Sequence, residues 1–205
     1  MTAQGGDTMR MLTLAGLIAG LAGFSATGAA SAQWGIAAEI GVTRFGGSSR
    51  DTSGTVVGPY RPTTFELRLD HGLGPVRGTV CVLYAKTPFA GEQPGLAVVQ
   101  SDFASVWEIA PQLSFRLARF GVGVDLRLEA GPAVQRWSLD GDRRMRLAGR
   151  TAAALEWPLA RALTGSLRVS GVLSSSVFNA GETPAGVERR ATRRLGVAVG
   201  LRYRW

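Results

Sequence analysis

Cysteine, histidine and lysine are scarce in this 205-residue chain, which holds one cysteine, one histidine and one lysine. The lone Cys81 excludes an internal disulfide, and no metal-ligand spacing surrounds it. The lone His71 lies in a predicted turn, and no nucleophile stands at a spacing that suggests shared catalysis. The sequence therefore predicts no metal or other cofactor and no enzymatic activity.

Long apolar runs are missing after residue 32, so no later segment is predicted to span a bilayer as a helix, which needs about 20 residues. The one apolar run, from Leu12 to Phe24, follows Arg10 and leads to Ala30-Ser31-Ala32. This is the pattern of a cleavable secretory signal peptide. We predict a signal peptide over residues 1–32, with Met1 and Met9 both open as the start, and one domain over residues 33–205.

The predicted domain is dominated by alternation of apolar with polar or small residues, which is typical of strands with one apolar face. Near its C-terminus, Leu195, Val197 and Val199 alternate with Arg194, Gly196 and Ala198. Eight such strands are predicted, over residues 34–43, 64–70, 76–84, 107–117, 122–129, 146–157, 163–173 and 194–205.

The predicted connections alternate in length. Four are long and polar (46–62, 87–104, 137–145 and 174–192), whereas three are short (71–75, 119–121 and 158–162). A transmembrane barrel with both termini in the periplasm has this layout. Pro111 and the pair Gly131-Pro132 remove ladder hydrogen bonds from the fourth and fifth strands, so we expect bulges there.

Aromatic placement favours a membrane barrel over a soluble one. All five tryptophans fall at predicted strand ends: Trp34, Trp107, Trp137, Trp157 and Trp205. Two aromatic girdles at the bilayer interfaces would produce this distribution. In a soluble barrel, some of these large rings should lie mid-strand in the core.

The polar faces mix acids with arginines. The acids are Glu39, Glu66, Asp70, Glu108, Asp125, Glu129 and Glu156, and the arginines are Arg68, Arg77, Arg116, Arg127, Arg150, Arg168 and Arg202. Eight strands enclose a lumen that side chains can fill, and guanidinium groups suit carboxylate pairing there. We predict a plugged interior and no substantial pore, with Cys81 a small packing residue on its wall.

The mature chain resembles the small OmpA/OmpX-type outer-membrane barrels over its whole length. Its final residues, with Leu201, Tyr203 and Trp205 on one face, are similar to the aromatic-ended signal read by the barrel assembly machinery. The resemblance implies an all-β fold, an eight-stranded antiparallel up-and-down transmembrane β-barrel in the outer membrane. It implies no particular activity. A lipid A-modifying enzyme and a soluble lipocalin-like binding barrel remain alternatives.

Basic residues indicate the partners. The chain carries a net charge of +8, and six arginines cluster at the predicted outer rim: Arg143, Arg144, Arg189, Arg190, Arg193 and Arg194. Forked guanidinium groups bind phosphate, so we predict contact with lipopolysaccharide phosphates and outer-membrane lipids. Ordinary solvated loops are the alternative interpretation. An exported, monomeric barrel has no use for nucleic acid.

Overall fold

The computed structural model describes residues 33–46, 49–50, 56–59, 61–93, 96–139, 141–177, 188–189 and 191–205. The predicted signal peptide, residues 1–32, lies outside them. Within the described part, no helix is long and apolar enough to cross a membrane.

Eight long strands carry the fold, because extended segments satisfy their backbone N–H and C=O groups by pairing edge to edge. They are β1 (Gln33–Gly46), β4 (Thr63–Leu73), β5 (Val76–Gln93), β6 (Leu96–Phe120), β7 (Val124–Leu139), β8 (Asp142–Pro158), β9 (Leu163–Ser174) and β11 (Thr192–Arg204). Three short strands lie between them: β2 (Ser49–Arg50), β3 (Val56–Pro59) and β10 (Glu188–Arg189).

The long strands form a closed antiparallel barrel. Their order is β5-β4-β1-β11-β9-β8-β7-β6, and pairing of β5 with β6 completes the ring. The first and last strands meet in register, with Ile36 opposite Tyr203 and Val42 opposite Val197. The predicted eight-stranded barrel is confirmed.

The two ends of the barrel differ. The described chain begins and ends at one end, which we call the terminal end; the connections there are short and lie at residues 74–75, 121–123 and 159–162. The other end, the loop end, carries longer segments, and β10, β2 and β3 add there to the edge of β5.

Two predicted loops are wrong. Residues 87–93 continue β5 and residues 96–104 continue β6, and the two extensions pair with each other. Strands β7 and β8 pair as far as Leu139 opposite Asp142, which shortens the predicted loop 137–145. Glycine, proline and charge are frequent in both segments, but cross-strand hydrogen bonds extend the strands past the residues that the apolar pattern covers.

Pro111, Gly131 and Pro132 interrupt the backbone hydrogen bonds between β6 and β7, but they do not produce the predicted bulge. Ile109 pairs with Val134 and Leu113 with Ala130, so the register is unchanged across the gap and Pro111 stands opposite Pro132. Neither proline has an N–H to donate. Gly131 fits closely there, since a Cβ on it would collide with the carbonyl oxygen of Pro111. The actual bulge lies between Arg116 and Ala118.

Candidate functional site

The two faces of the wall are inverted relative to a soluble protein. Large apolar side chains point outward on every long strand, such as Ile40, Leu67, Ile109, Val169 and Val199. The seven acids predicted on the polar faces are all buried in the interior, as are Arg68, Arg127, Arg150, Arg168, Arg194 and Arg202. An apolar outer face suits lipid, and a charged inner face requires internal partners.

Four charged side chains pair in the middle of the lumen. Arg68 donates two hydrogen bonds of 2.8 Å to the carboxylate of Glu129. Arg168 donates to the same carboxylate, and its Nε also lies 2.9 Å from Glu39 Oε2. These contacts join strands on different sides of the barrel, because β4, β7, β9 and β1 each supply one residue.

A second chain of ion pairs lies toward the loop end. Arg150 donates to Glu66 at 2.6 Å and to Glu108 at 2.8 Å. Arg194 donates to Glu108 at 2.6 Å, and Gln135 completes that carboxylate with a bond of 2.7 Å. Each carboxylate is thus held by at least one guanidinium group, the arrangement that makes a buried charge tolerable.

Toward the terminal end, Arg202 pairs with Asp70, and Arg77 lies 2.8 Å from Glu156. The cavity between this layer and the middle layer is about 10 Å³, room for about one water molecule. The side chains that line this cavity therefore leave little free space between the two layers. Small residues make this possible: Gly200 lies against Glu39, where a Cβ would collide with the carboxylate stem.

An apolar cluster closes the lumen at the loop end. It consists of Phe45, Leu83, Ala85, Ala104, Val106, Trp137, Leu139 and Val177. Val177, just beyond β9, is 0% exposed. Arg146 fixes this segment by donating to the carbonyls of Ser176 at 2.7 Å and Val177 at 3.1 Å.

The prediction that Trp137 belongs to an aromatic girdle is wrong, because its side chain points into the barrel. Its ring is 0% exposed and packs edge-on against Phe45, with centroids 5.6 Å apart. Its indole N–H donates to Gln135 at 3.2 Å. The outward parity of Leu128 and Val134 puts odd-numbered residues of β7 inside, so continuing the alternation through Pro132 would have placed Trp137 correctly.

The other aromatics do lie near the barrel ends. Trp34, Trp107 and Trp205 are exposed on the outer face. At the terminal end Trp34 contacts His71, with ring centroids 4.3 Å apart; toward the loop end Tyr84 contacts Trp107 at 4.7 Å. His71 thus lies outside the lumen at the end where its turn was predicted.

A basic ring surrounds the outer face at the loop end. On five strands, the first outward residue beyond the apolar row is a cation: Arg44, Lys86, Arg136, Arg143 and Arg193, all exposed. On the other three strands that position holds a hydroxyl: Thr63, Ser105 and Ser175. No acid occupies any of these eight described positions, so this level of the outer face is uniformly positive or neutral.

The basic ring contains only two of the six predicted phosphate ligands, Arg143 and Arg193. The prediction that Arg194 binds phosphate at the rim is wrong. Its side chain points into the lumen, is 2% exposed and binds Glu108, so it cannot meet a lipid phosphate. Arg144 is half-buried, and its Nη1 donates to the carbonyl of Val177 at 3.3 Å.

The remaining two predicted ligands fall at the edge of the structure. Arg189 lies in β10 with its side chain outside the described part, and Arg190 lies outside the described residues. Sequence reasoning missed Arg44, Lys86 and Arg136. The signal was available, since each continues the parity of the outward apolar residues Val42, Tyr84 and Val134.

The predicted assembly residues share one surface. Leu201, Tyr203 and Trp205 are exposed on the outer face of the last strand, and the Trp205 N–H donates to the carbonyl of Trp34 at 3.3 Å. On the inner face, Cys81 is buried and donates to Gln112 at 3.0 Å. No group of three or more His, Cys, Asp or Glu side chains in the described ranges is arranged to hold a metal ion.

Comparison with known proteins gives the fold. No protein-family model matches the chain, and no curated sequence does. Among solved structures, the chain is similar to the crystal structure of Neisserial surface protein A, with 11% identity and a TM-score of 0.51 over 84% of this chain and 97% of that one.

A second similar structure is the outer membrane protein AlkL, determined by solid-state NMR in DMPC bilayers. Its identity is 13% and its TM-score 0.54, over 88% of this chain and 93% of that one. At sequence identities this low, the similarity supports a shared fold only. The chain has the eight-stranded barrel fold of outer-membrane proteins, as its resemblance to OmpA/OmpX-type barrels implied.

Proposed function

We propose that the protein is an integral barrel of the outer membrane that displays its loop end at the cell surface and holds lipopolysaccharide phosphates on its basic ring. Residues 1–32 direct export and are then removed. The observation that carries the proposal is the basic ring itself. It encircles the wall immediately beyond an apolar belt and includes no acid among its eight described positions.

The inverted faces support membrane insertion. A closed barrel leaves no strand edge unpaired, which is the condition for strands in a lipid core. Outward Leu, Ile, Val and Phe side chains, including Leu67, Leu117 and Phe65, would be costly in water when spread over the whole circumference.

The asymmetry of the two ends supports the proposed orientation in the membrane. Short connections and both ends of the described chain, at Gln33 and Trp205, lie together, and short turns are typical of the periplasmic side of bacterial barrels. The loop end then faces outward, and the basic ring falls at the headgroup level of the outer leaflet. Lipopolysaccharide presents its phosphates at that level.

The barrel acts as an anchor and contact surface, without a pore or catalysis. Its described interior contains buried ion pairs and, at the loop end, the apolar cluster around Trp137 and Val177, which supports a barrel without a pore. The lone histidine sits on the outer face of the opposite end. We propose a monomer, assembled by the barrel machinery through Leu201, Tyr203 and Trp205.

The test compares two charge-removal variants. One changes all five basic-ring residues to Gln; the control changes Arg119 and Arg161, exposed cations at the terminal end, to Gln. Both variants should reach the outer membrane and shift on gels after boiling. Lipopolysaccharide should co-purify with the wild type and the control but be strongly reduced with the basic-ring variant. Equal lipopolysaccharide in all three would overturn the contact, and recovery in the periplasmic fraction would overturn the location.

A further inference from the structure

Four members of the basic ring form two pairs with the same geometry. On β7 and β8, Arg136 pairs with Met145 and Ser138 with Arg143. Both arginines point outward, so they are diagonal neighbours on one surface. Diagonal side chains of an antiparallel pair stand roughly 7 to 8 Å apart at their Cα atoms, and flexible guanidinium groups can converge from that distance.

The second pair lies where the barrel closes. Arg44 pairs with Leu195, and Gly46 with Arg193, which gives Arg44 and Arg193 the same diagonal relation. Strand β9 separates this pair from the first on one side of the barrel, and β4, β5 and β6 separate them on the other. The two pairs therefore present separate surfaces.

Within the part of the chain that the structure describes, neither pair is neutralised by an acid. No ion pair joins any of the four arginines to an acid in the described ranges, and the outward neighbours Leu195, Met145 and Ser138 carry no charge. Two like charges on neighbouring strands repel each other, and an anion between them would remove that repulsion. In the lumen, by contrast, every buried acid lies next to at least one guanidinium group. The protein therefore neutralises its own charges in the interior, which ions from solution do not reach.

We propose that each arginine pair binds one phosphate group of a phosphorylated glycolipid, which gives two sites per barrel. The proposal rests on the lipopolysaccharide contact proposed above. Two guanidinium forks can surround a phosphate monoester from two directions. A phosphomonoester carries up to two negative charges and thus matches one pair.

Arginine-pair variants test the proposal. Arg136 and Arg143 are changed to Gln in one variant and Arg44 and Arg193 in another, and the control changes Arg119 and Arg161, two exposed cations at the terminal end, to Gln. Native mass spectrometry of the full barrel in detergent counts bound lipid A carrying both phosphates. Wild type and control should bind two, each pair variant one with about ten- to a hundredfold loss at the altered site, and the combined variant none.

Two further probes identify the source of the phosphate. Lipid A stripped of phosphate should not bind, and phosphatidylglycerol, a singly charged diester, should bind more weakly than lipid A. If wild type binds no lipid A, the proposed function itself fails. If wild type binds lipid A but the pair variants bind as many molecules as the Arg119 and Arg161 control does, only the two-site assignment fails. Equal occupancy by phosphatidylglycerol would assign the sites to phospholipid instead.

Discussion

Arg150 on β8 reaches across the barrel interior to Glu66 on β4, where its Nη2 lies 2.6 Å from Glu66 Oε2. The two residues are 84 positions apart in the sequence. The same guanidinium group also binds Glu108 on β6, so one side chain fixes three strands. Contacts of this kind replace the apolar core that an inverted barrel lacks.

Loss of this contact should destabilise the barrel. Arg150→Met leaves Glu66 without its closest partner in a buried site, which costs about 3 to 5 kcal/mol. The measurement is urea unfolding in lipid vesicles. Arg119→Met is the control, because Arg119 pairs with Asp125 at 2.7 Å but is 56% exposed, and such pairs contribute about 0 to 1 kcal/mol. Equal losses in the two variants would contradict a structural role for the interior network.

The gap at Pro111 and Pro132 makes Gly131 intolerant of a side chain. A Cβ on Gly131 would strike the backbone oxygen of Pro111, which cannot move aside as a side chain could. Gly131→Ala should cost about 1 to 3 kcal/mol. Gly149→Ala, on the neighbouring strand with nothing within 4 Å of its Cβ, should change the free energy of unfolding by less than about 0.5 kcal/mol. A larger loss of stability in Gly149→Ala than in Gly131→Ala would contradict the close approach of β6 and β7 at Pro111.

The sequence was sufficient for the fold and for the charged interior. Alternation assigned all seven buried acids to the inner face, because a period of two leaves each strand residue only two directions. It could not predict which acid meets which arginine. Glu39 and Arg168 are 129 positions apart, and their contact depends on barrel closure and strand stagger.

The rim was harder to predict than the wall. Arg194 was assigned by its neighbours in the sequence, although its parity matches the lumen residue Arg202. Strand ends were set by composition, which cannot show how far backbone pairing continues beyond the apolar rows. Arg44 and Arg136 were overlooked because single cations at strand ends resemble ordinary loop charge.

Cys81 reports whether the lumen is closed. Its thiol is 0% exposed, so N-ethylmaleimide should leave the folded protein unmodified for minutes and label it after denaturation. In a Cys81→Ala background, Ser175→Cys places a thiol at the exposed loop end and should react at once. Rapid labelling of Cys81 in the folded barrel would indicate a solvent-filled lumen.

Trp205 is predicted to serve in assembly more than in stability. Its side chain is 59% exposed on the outer face, so little packing is lost on truncation. Trp205→Ala should lower the amount of folded protein in the outer membrane severalfold, and Trp205→Phe should restore it. Trp34→Ala, at the same end of the barrel, is the control and should assemble normally. Normal assembly of Trp205→Ala would remove the predicted signal.

The direction of the two faces is the central claim, and two tryptophans test it directly. Trp107 is 51% exposed on the outer wall, whereas Trp137 is 0% exposed inside. Variants that retain only one of them, with Phe at the other four tryptophan positions, are folded into vesicles containing lipids brominated in their acyl chains. Fluorescence of Trp107 should be strongly quenched and that of Trp137 nearly unaffected. Equal quenching of both, or none of Trp107, would contradict an apolar face toward lipid and an ionic face toward the lumen.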